Sequence, residues 1–234
     1  MNLTPNFLQA FLFGAGVQSM LLVAGLVVYW FEVPRRVVGW LAGYGAGALI
    51  GAIAFTLIVQ AIQLGKWEML LWLLIGAGIF IAGDTIIERR FGEKAGALGI
   101  VLGSMVDGVP ESIIFGIQLA AGGGFSMAFL TAVIISNIPQ SIAPSADLAK
   151  SGWTMWRVAK MWLAVMIACG VTCALFYLLA AVVPITGDRA SAIAAGGLLA
   201  MITASFIPFG TERGGIWTGV FAVLGLASSY IQSQ

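Results

Sequence analysis

Long apolar runs separated by short polar breaks fill the chain from end to end. Eight runs can be marked off, at 6–31, 36–64, 68–88, 95–120, 126–148, 156–183, 190–209 and 214–232. An α-helix needs about 20 apolar residues to cross the hydrocarbon core of a bilayer, and each run is close to that length or above it. The breaks are Glu32 to Arg36, Gly65-Lys66, Glu88 to Lys94, Gly122 to Gly124, Ala149 to Arg157, Thr186 to Arg189 and Gly210 to Gly214. Connections this tight force successive helices to run antiparallel. The pattern predicts an all-α polytopic membrane protein, a bundle of eight transmembrane helices. Residues 1–234 then form a single transmembrane domain, with no room for a soluble one. The first run starts near Asn6 with no basic stretch before it and is long enough to span, so no cleavable signal peptide is expected.

Composition agrees with this reading. Hydrophobic residues make up 60% of the chain and charged residues 9%, against about 25% charged in an ordinary soluble domain. The expected partner is therefore the lipid bilayer. A net charge of +1 argues against nucleic acid as a partner.

The few charges set an orientation. Loops one, three, five and seven hold Arg35, Arg36, Arg89, Arg90, Lys94, Lys150, Arg157, Lys160 and Arg213, whereas the even loops hold only Lys66 and Arg189. Basic residues stay on the cytoplasmic side of membranes. The odd loops are thus expected in the cytoplasm and both termini outside. The compact loops point to a prokaryotic inner membrane.

Glycine is abundant, with 31 residues, and Gly43, Gly47 and Gly51 recur every four positions on the second run. That spacing lets helix backbones approach closely. It serves either packing within the bundle, the preferred reading, or a homodimer seam. Cys169 and Cys173 share one helix face, a spacing unsuited to a disulfide, and read as small buried residues.

Two runs share a polar pattern. The fourth reads Asp107-Gly108-Val109-Pro110-Glu111-Ser112-Ile113, and the fifth Ser136-Asn137-Ile138-Pro139-Gln140-Ser141-Ile142. On antiparallel helices Pro110 and Pro139 fall at similar depth. Each proline removes a backbone donor and crowds the carbonyl four residues back, here those of Val106 and Ile135. Broken helices near the midplane are how transporters expose carbonyl oxygens to a cation. Asp107 and Glu111 lie i, i+4 on one face, as do Ser136 and Gln140, and Asn137 and Ser141. Carboxylates at this depth cost a few kcal/mol and usually mark a pathway. The predicted site is a cluster of oxygen ligands between two kinked helices. Asp84 and Asp147 read as interfacial.

The doubled proline motif resembles that of the Zrt/Irt-like (ZIP) divalent-metal transporters. Similarity in the glycine-rich second span, in Ile75 to Arg90 and in Ala195 to Pro208 extends it along most of the chain. The resemblance implies eight spans, both ends outside, and a metal site built from the fourth and fifth. Pro110, Glu111, Asn137 and Pro139 match the family's motif. Asp107 stands where a ligand histidine is expected, Gly108 replaces an asparagine, Gln140 replaces a ligand glutamate, and Ser136 holds a polar ligand position. Gln60, Cys173 and Ser205 fall near further acidic or histidine positions and add secondary polar candidates at Gln60 and Ser205. The chain has no histidine. Zinc prefers nitrogen and sulfur ligands, so oxygen ligation by Asp107, Glu111, Asn137 and Gln140 suits harder cations such as manganese or magnesium.

The function expected is transport of a divalent cation through this rewritten site. The alternative is a ZIP-like bundle that does not transport and serves as a structural or regulatory subunit of a membrane complex. No covalently bound cofactor is expected, and the cation enters as cargo. An enzyme is not expected, since the chain carries no catalytic metal cluster and no nucleotide-binding loop. Gly122 to Gly124 do not match a phosphate-binding signature.

Overall fold

The computed structural model describes residues 6–91, 97–121, 126–182 and 187–233. Lys94 and the Gly122 to Gly124 break lie outside the described residues. The described chain is helical, in the order α1 (Phe7–Val27), α2 (Arg35–Ala61), α3 (Lys66–Phe91), α4 (Ala97–Ala121), α5 (Met127–Lys150), α6 (Met155–Val182), α7 (Gly187–Gly214) and α8 (Trp217–Gln232). Six of these, α1, α2, α3, α5, α6 and α7, are long and apolar enough to cross a membrane. Large apolar side chains such as Leu71, Leu74 and Ile79 on α3 and Val171, Leu175 and Leu178 on α6 face outward. In water such a surface would aggregate; against acyl chains it is neutral. Trp30, Trp67, Trp156 and Trp217 lie exposed near helix ends, where indoles favour the membrane–water boundary.

Two boundaries differ from the pattern by more than three residues. The first helix stops at Val27 rather than near residue 31. Beyond it the Tyr29 hydroxyl donates to the Trp153 carbonyl oxygen at 2.7 Å and draws the chain toward the α5–α6 connection. The seventh runs on to Gly214, past the predicted end at 209. Gly215, at φ +62°, then reverses the chain, a backbone conformation open mainly to glycine.

Ion pairs tie together connections of like parity. Arg35 pairs with Glu212 at 2.5 Å, and Arg189 pairs with Glu68 at 2.8 Å. One end of the bundle thus gathers the α1–α2, α5–α6 and α7–α8 connections, and is called the Arg213 end below. The other is the Glu68 end.

The packing repeats itself. α1 packs on α6 and α5, while α6 packs on α1 and α4; α2 packs on α8, α5 and α7, while α7 packs on α3, α4 and α2. These pairings are unchanged when α1–α3 are exchanged with α6–α8 and α4 with α5. The two copies run through the bundle in opposite directions. Close contacts obey the same exchange. A Cβ on Gly47 would overlap the Ala222 carbonyl oxygen, and one on Gly196 would overlap that of Leu73. Likewise Gly225 meets the Tyr44 carbonyl oxygen and Gly76 that of Ile193. Gly47 and Gly196 are 149 positions apart, as are Gly76 and Gly225, and Tyr44 and Ile193. The wide π-helical turn at Ile53–Leu57 in α2 recurs 149 positions on at Ile202–Phe206 in α7. Gly43 and Gly51 meet Thr218 and Ser229 of α8, so the four-residue glycine row faces a helix of the same chain.

Candidate functional site

The doubled motif sits where α4 and α5 pass between the two copies. Both helices run uninterrupted through their prolines, Pro110 in α4 and Pro139 and Pro144 in α5. The serine two places after each motif proline does the same job in both copies. Ser112 donates its hydroxyl to the Gly108 carbonyl oxygen at 2.8 Å, and Ser141 to that of Asn137 at 3.0 Å. A missing proline N–H loosens the ladder, and these hydroxyls supply local donors to it.

Glu111 is 1% exposed. Its Oε2 accepts from Gln18 Nε2 of α1 at 2.9 Å, and Gln18 Oε1 accepts from Asn137 Nδ2 of α5 at 2.8 Å. One amide therefore bridges the acidic residue of α4 and the asparagine of α5. Gln18 is itself 1% exposed. It was not among the predicted site residues. The signal was present, since an amide in the middle of an apolar span is costly unless partnered. Glu111 Oε1 has no hydrogen-bond partner among the described residues.

Asp107 and Gln140 lie on the Arg213 side of this bridge. Both line a cavity of about 380 Å³ together with Ser104, Asp147, Ser205 and Arg213. A neighbouring cavity of about 420 Å³ shares Asp147 and Arg213 and reaches Arg35 and Lys150 at the helix ends. The two form a vestibule from the Arg213 end to mid-bundle. Gln140 Nε2 is buried in its wall without a partner among the described residues. The Arg213 guanidinium folds back over the Phe209 ring at 3.9 Å and lies 3.9 Å from Glu212, so part of its charge is offset locally.

The remaining predicted residues go elsewhere. Ser136 is fully buried against Gly45 of α2 and donates to the Val133 carbonyl oxygen at 2.9 Å. Gln60 accepts from Ser191 at 2.7 Å, toward the Glu68 end. Cys169 and Cys173 are free and buried, beside Gly108 and Gly14. The structure thus brings Asp107, Gln140 and Ser205 to one cavity, holds Glu111 and Asn137 on a common bridge behind it, and places Ser136 and Gln60 outside both. Among the described residues no three Cys, Asp or Glu side chains converge as a resident metal would require.

Past the bridge toward the Glu68 end the bundle is closed by aromatic packing. Phe115 stacks edge-on to Phe13 at 5.5 Å and lies tilted against Phe129 at 4.9 Å between ring centroids.

No protein-family model and no curated protein matches this chain.

Proposed function

We propose that the chain is an eight-span membrane transporter of the ZIP type, which moves a divalent cation between spans four and five. The odd-numbered loops then lie in the cytoplasm of a prokaryotic cell, with both termini outside. The observation that carries this reading is the vestibule, open at the Arg213 end and reaching Asp107 and Gln140 at the level of the two prolines. A hydrated cation entering it passes Arg35 and Lys150 at the mouth, meets Asp147 as its first carboxylate and then Asp107. Glu111, one turn deeper on the same face of α4, offers a second carboxylate with an uncommitted oxygen. Oxygen donors of this kind suit manganese or magnesium better than zinc. Passage past Glu111 requires the Gln18 bridge and the Phe13–Phe115–Phe129 packing to part, as the two inverted copies rock about the fixed site.

One observation favours the second reading, a structural or regulatory subunit that does not transport. Gln18 already satisfies Asn137 and one oxygen of Glu111. A site stitched in this way is stable without cargo.

Uptake of Mn²⁺ into proteoliposomes separates the two. The transporter reading expects uptake by the native chain and its loss in Asp107→Asn, with the variant still folded. A native chain that takes up no Mn²⁺, Mg²⁺, Fe²⁺ or Zn²⁺ and retains a protein partner on purification from its own membrane supports the subunit reading instead.

A further inference from the structure

Another cavity at the Arg213 end lies beside the vestibule. It holds about 860 Å³ and opens where α2 and α8 begin and α7 ends. Its floor is fixed by aromatic contacts. Trp40 Nε1 donates to the Gly214 carbonyl oxygen at 3.1 Å, and the Trp40 ring stacks on Phe221 at 5.4 Å between centroids with 4° between the planes. Its walls are positively charged. Arg36 and Arg213 line it beside Glu212, whose carboxylate is already paired with Arg35 at 2.5 Å. Arg36 stands one turn before Trp40 on the same face of α2 and has no ion-pair partner among the described residues. The rim is apolar, formed by Ile216 and Trp217, which are 90% and 60% exposed. We propose that this cavity binds the phosphate headgroup of an anionic phospholipid, with Arg36 and Arg213 on the phosphate and Ile216 and Trp217 against the first carbons of the acyl chains.

The chemistry of the cavity selects this ligand. A guanidinium presents paired N–H donors that match a phosphate, and basic pockets between membrane helices hold acidic headgroups. α2 and α8 run parallel, because Gly43, Gly47 and Gly51 meet Thr218, Ala222 and Ser229 in turn. Both therefore begin at this cavity and bring the positive ends of their dipoles to it. A helix N-terminus is ordinarily settled by an acid in its first turn or by a side-chain cap. Neither helix has one, and α2 opens on Arg35 and Arg36 instead. Positive charge gathered in this way is stabilised by an anion, and Glu212 does not balance it. A soluble phosphate would satisfy the guanidinium groups and leave Ile216 and Trp217 bare. A lipid meets both, since the exposed tryptophan marks the membrane–water boundary where headgroups lie. Arg213 lines this cavity and the vestibule alike. A phosphate beside it offsets charge that repels a cation at the vestibule, a consequence that rests on the transporter reading, although the lipid site itself does not.

The test titrates the full chain in detergent with phosphatidylglycerol, phosphatidylcholine and inorganic phosphate, and counts bound lipid by native mass spectrometry. One phosphatidylglycerol per chain is expected to bind about tenfold more tightly than phosphatidylcholine, whose choline cancels the phosphate charge. Arg36→Gln and Arg213→Gln are each expected to weaken phosphatidylglycerol about fivefold and to leave phosphatidylcholine unchanged, as loss of one basic residue at an anionic lipid surface does. Lys160→Gln removes an exposed basic residue near the start of α6, outside the cavity, and is expected to change neither. The headgroup preference of the native chain keeps the test decisive if an arginine variant does not fold. Equal binding of the two lipids, an equal loss in Lys160→Gln, or undiminished phosphatidylglycerol binding in both arginine variants overturns the site. Displacement of phosphatidylglycerol by an equal concentration of inorganic phosphate overturns the lipid as the source of the anion. None of these readouts uses transport, so failure of the lipid site leaves the transporter reading standing, and absence of Mn²⁺ uptake leaves the lipid site standing.

Discussion

The two sets of helices in this bundle are held by different physics. α2 against α8 and α3 against α7 meet backbone to backbone, with Gly47, Gly225, Gly76 and Gly196 each seated on a carbonyl oxygen of the facing helix. α1, α4, α5 and α6 also have one such contact, Gly116 of α4 on the Cys173 carbonyl oxygen of α6, but add hydrogen bonds between buried side chains. There Gln18 bridges Glu111 and Asn137, and Trp162 Nε1 donates to Ser145 Oγ at 2.8 Å. Lipid offers no hydrophobic drive between helices, so either close packing or buried hydrogen bonds must supply it. Close packing has a single good geometry and resists change. Hydrogen-bonded amides can exchange partners at little cost. Most of the candidate site's polar groups come from the second kind of helix, with Ser205 and Arg213 added by α7, and the first supplies a frame for them.

The largest effect comes from breaking the frame. Gly47→Ala drives a methyl group into the Ala222 carbonyl oxygen, and overpacking against backbone is expected to cost about 3 kcal/mol. Gly78→Ala, with nothing within 4 Å of the added carbon, is expected to stay within about 1 kcal/mol of native on the stabilising side. Thermal unfolding in detergent checks both. Equal melting of the two variants would mean that the close glycine contacts do not hold the frame.

A smaller effect is expected at the bridge. Gln18→Leu leaves Glu111 Oε2 and Asn137 Nδ2 without their partner, a loss of about 1–3 kcal/mol. A double-mutant cycle of Gln18→Ala with Asn137→Ala isolates their interaction, expected at about 0.5–3 kcal/mol. A coupling of zero would mean that the amide fills space and holds nothing.

Much of this fold could be read in advance because apolar length and polar punctuation are written locally. The four-residue glycine row was legible for the same reason, and its preferred reading as internal packing agrees with the contacts to α8. The full inverted repeat was not legible. It survives in the sequence as the proline motif and a few glycines, since in lipid many different side chains serve equally on an outward face. The site was legible in part. Asp107 and Gln140 share a cavity with Ser205. Ser136 was marked because its type and register fit, and in the structure it is buried against Gly45 of α2, with its hydroxyl donating to the Val133 carbonyl oxygen of its own helix. Sequence does not distinguish a serine that bonds back to its helix from one that faces a cavity. Gln18 was missed because it stands alone in an apolar helix, and its meaning depends on two partners more than 90 positions away.

The central claim is that α4 and α5 present a carboxylate site to a cation. Titration of the purified chain with Mn²⁺, beside Glu111→Gln and Asp107→Asn, tests it most directly. The account predicts saturable binding of one ion per chain, lost in both variants while their helical content is unchanged. Binding that is absent from the native chain for Mn²⁺, Mg²⁺, Fe²⁺ and Zn²⁺ alike, or that persists undiminished in both variants, would contradict it.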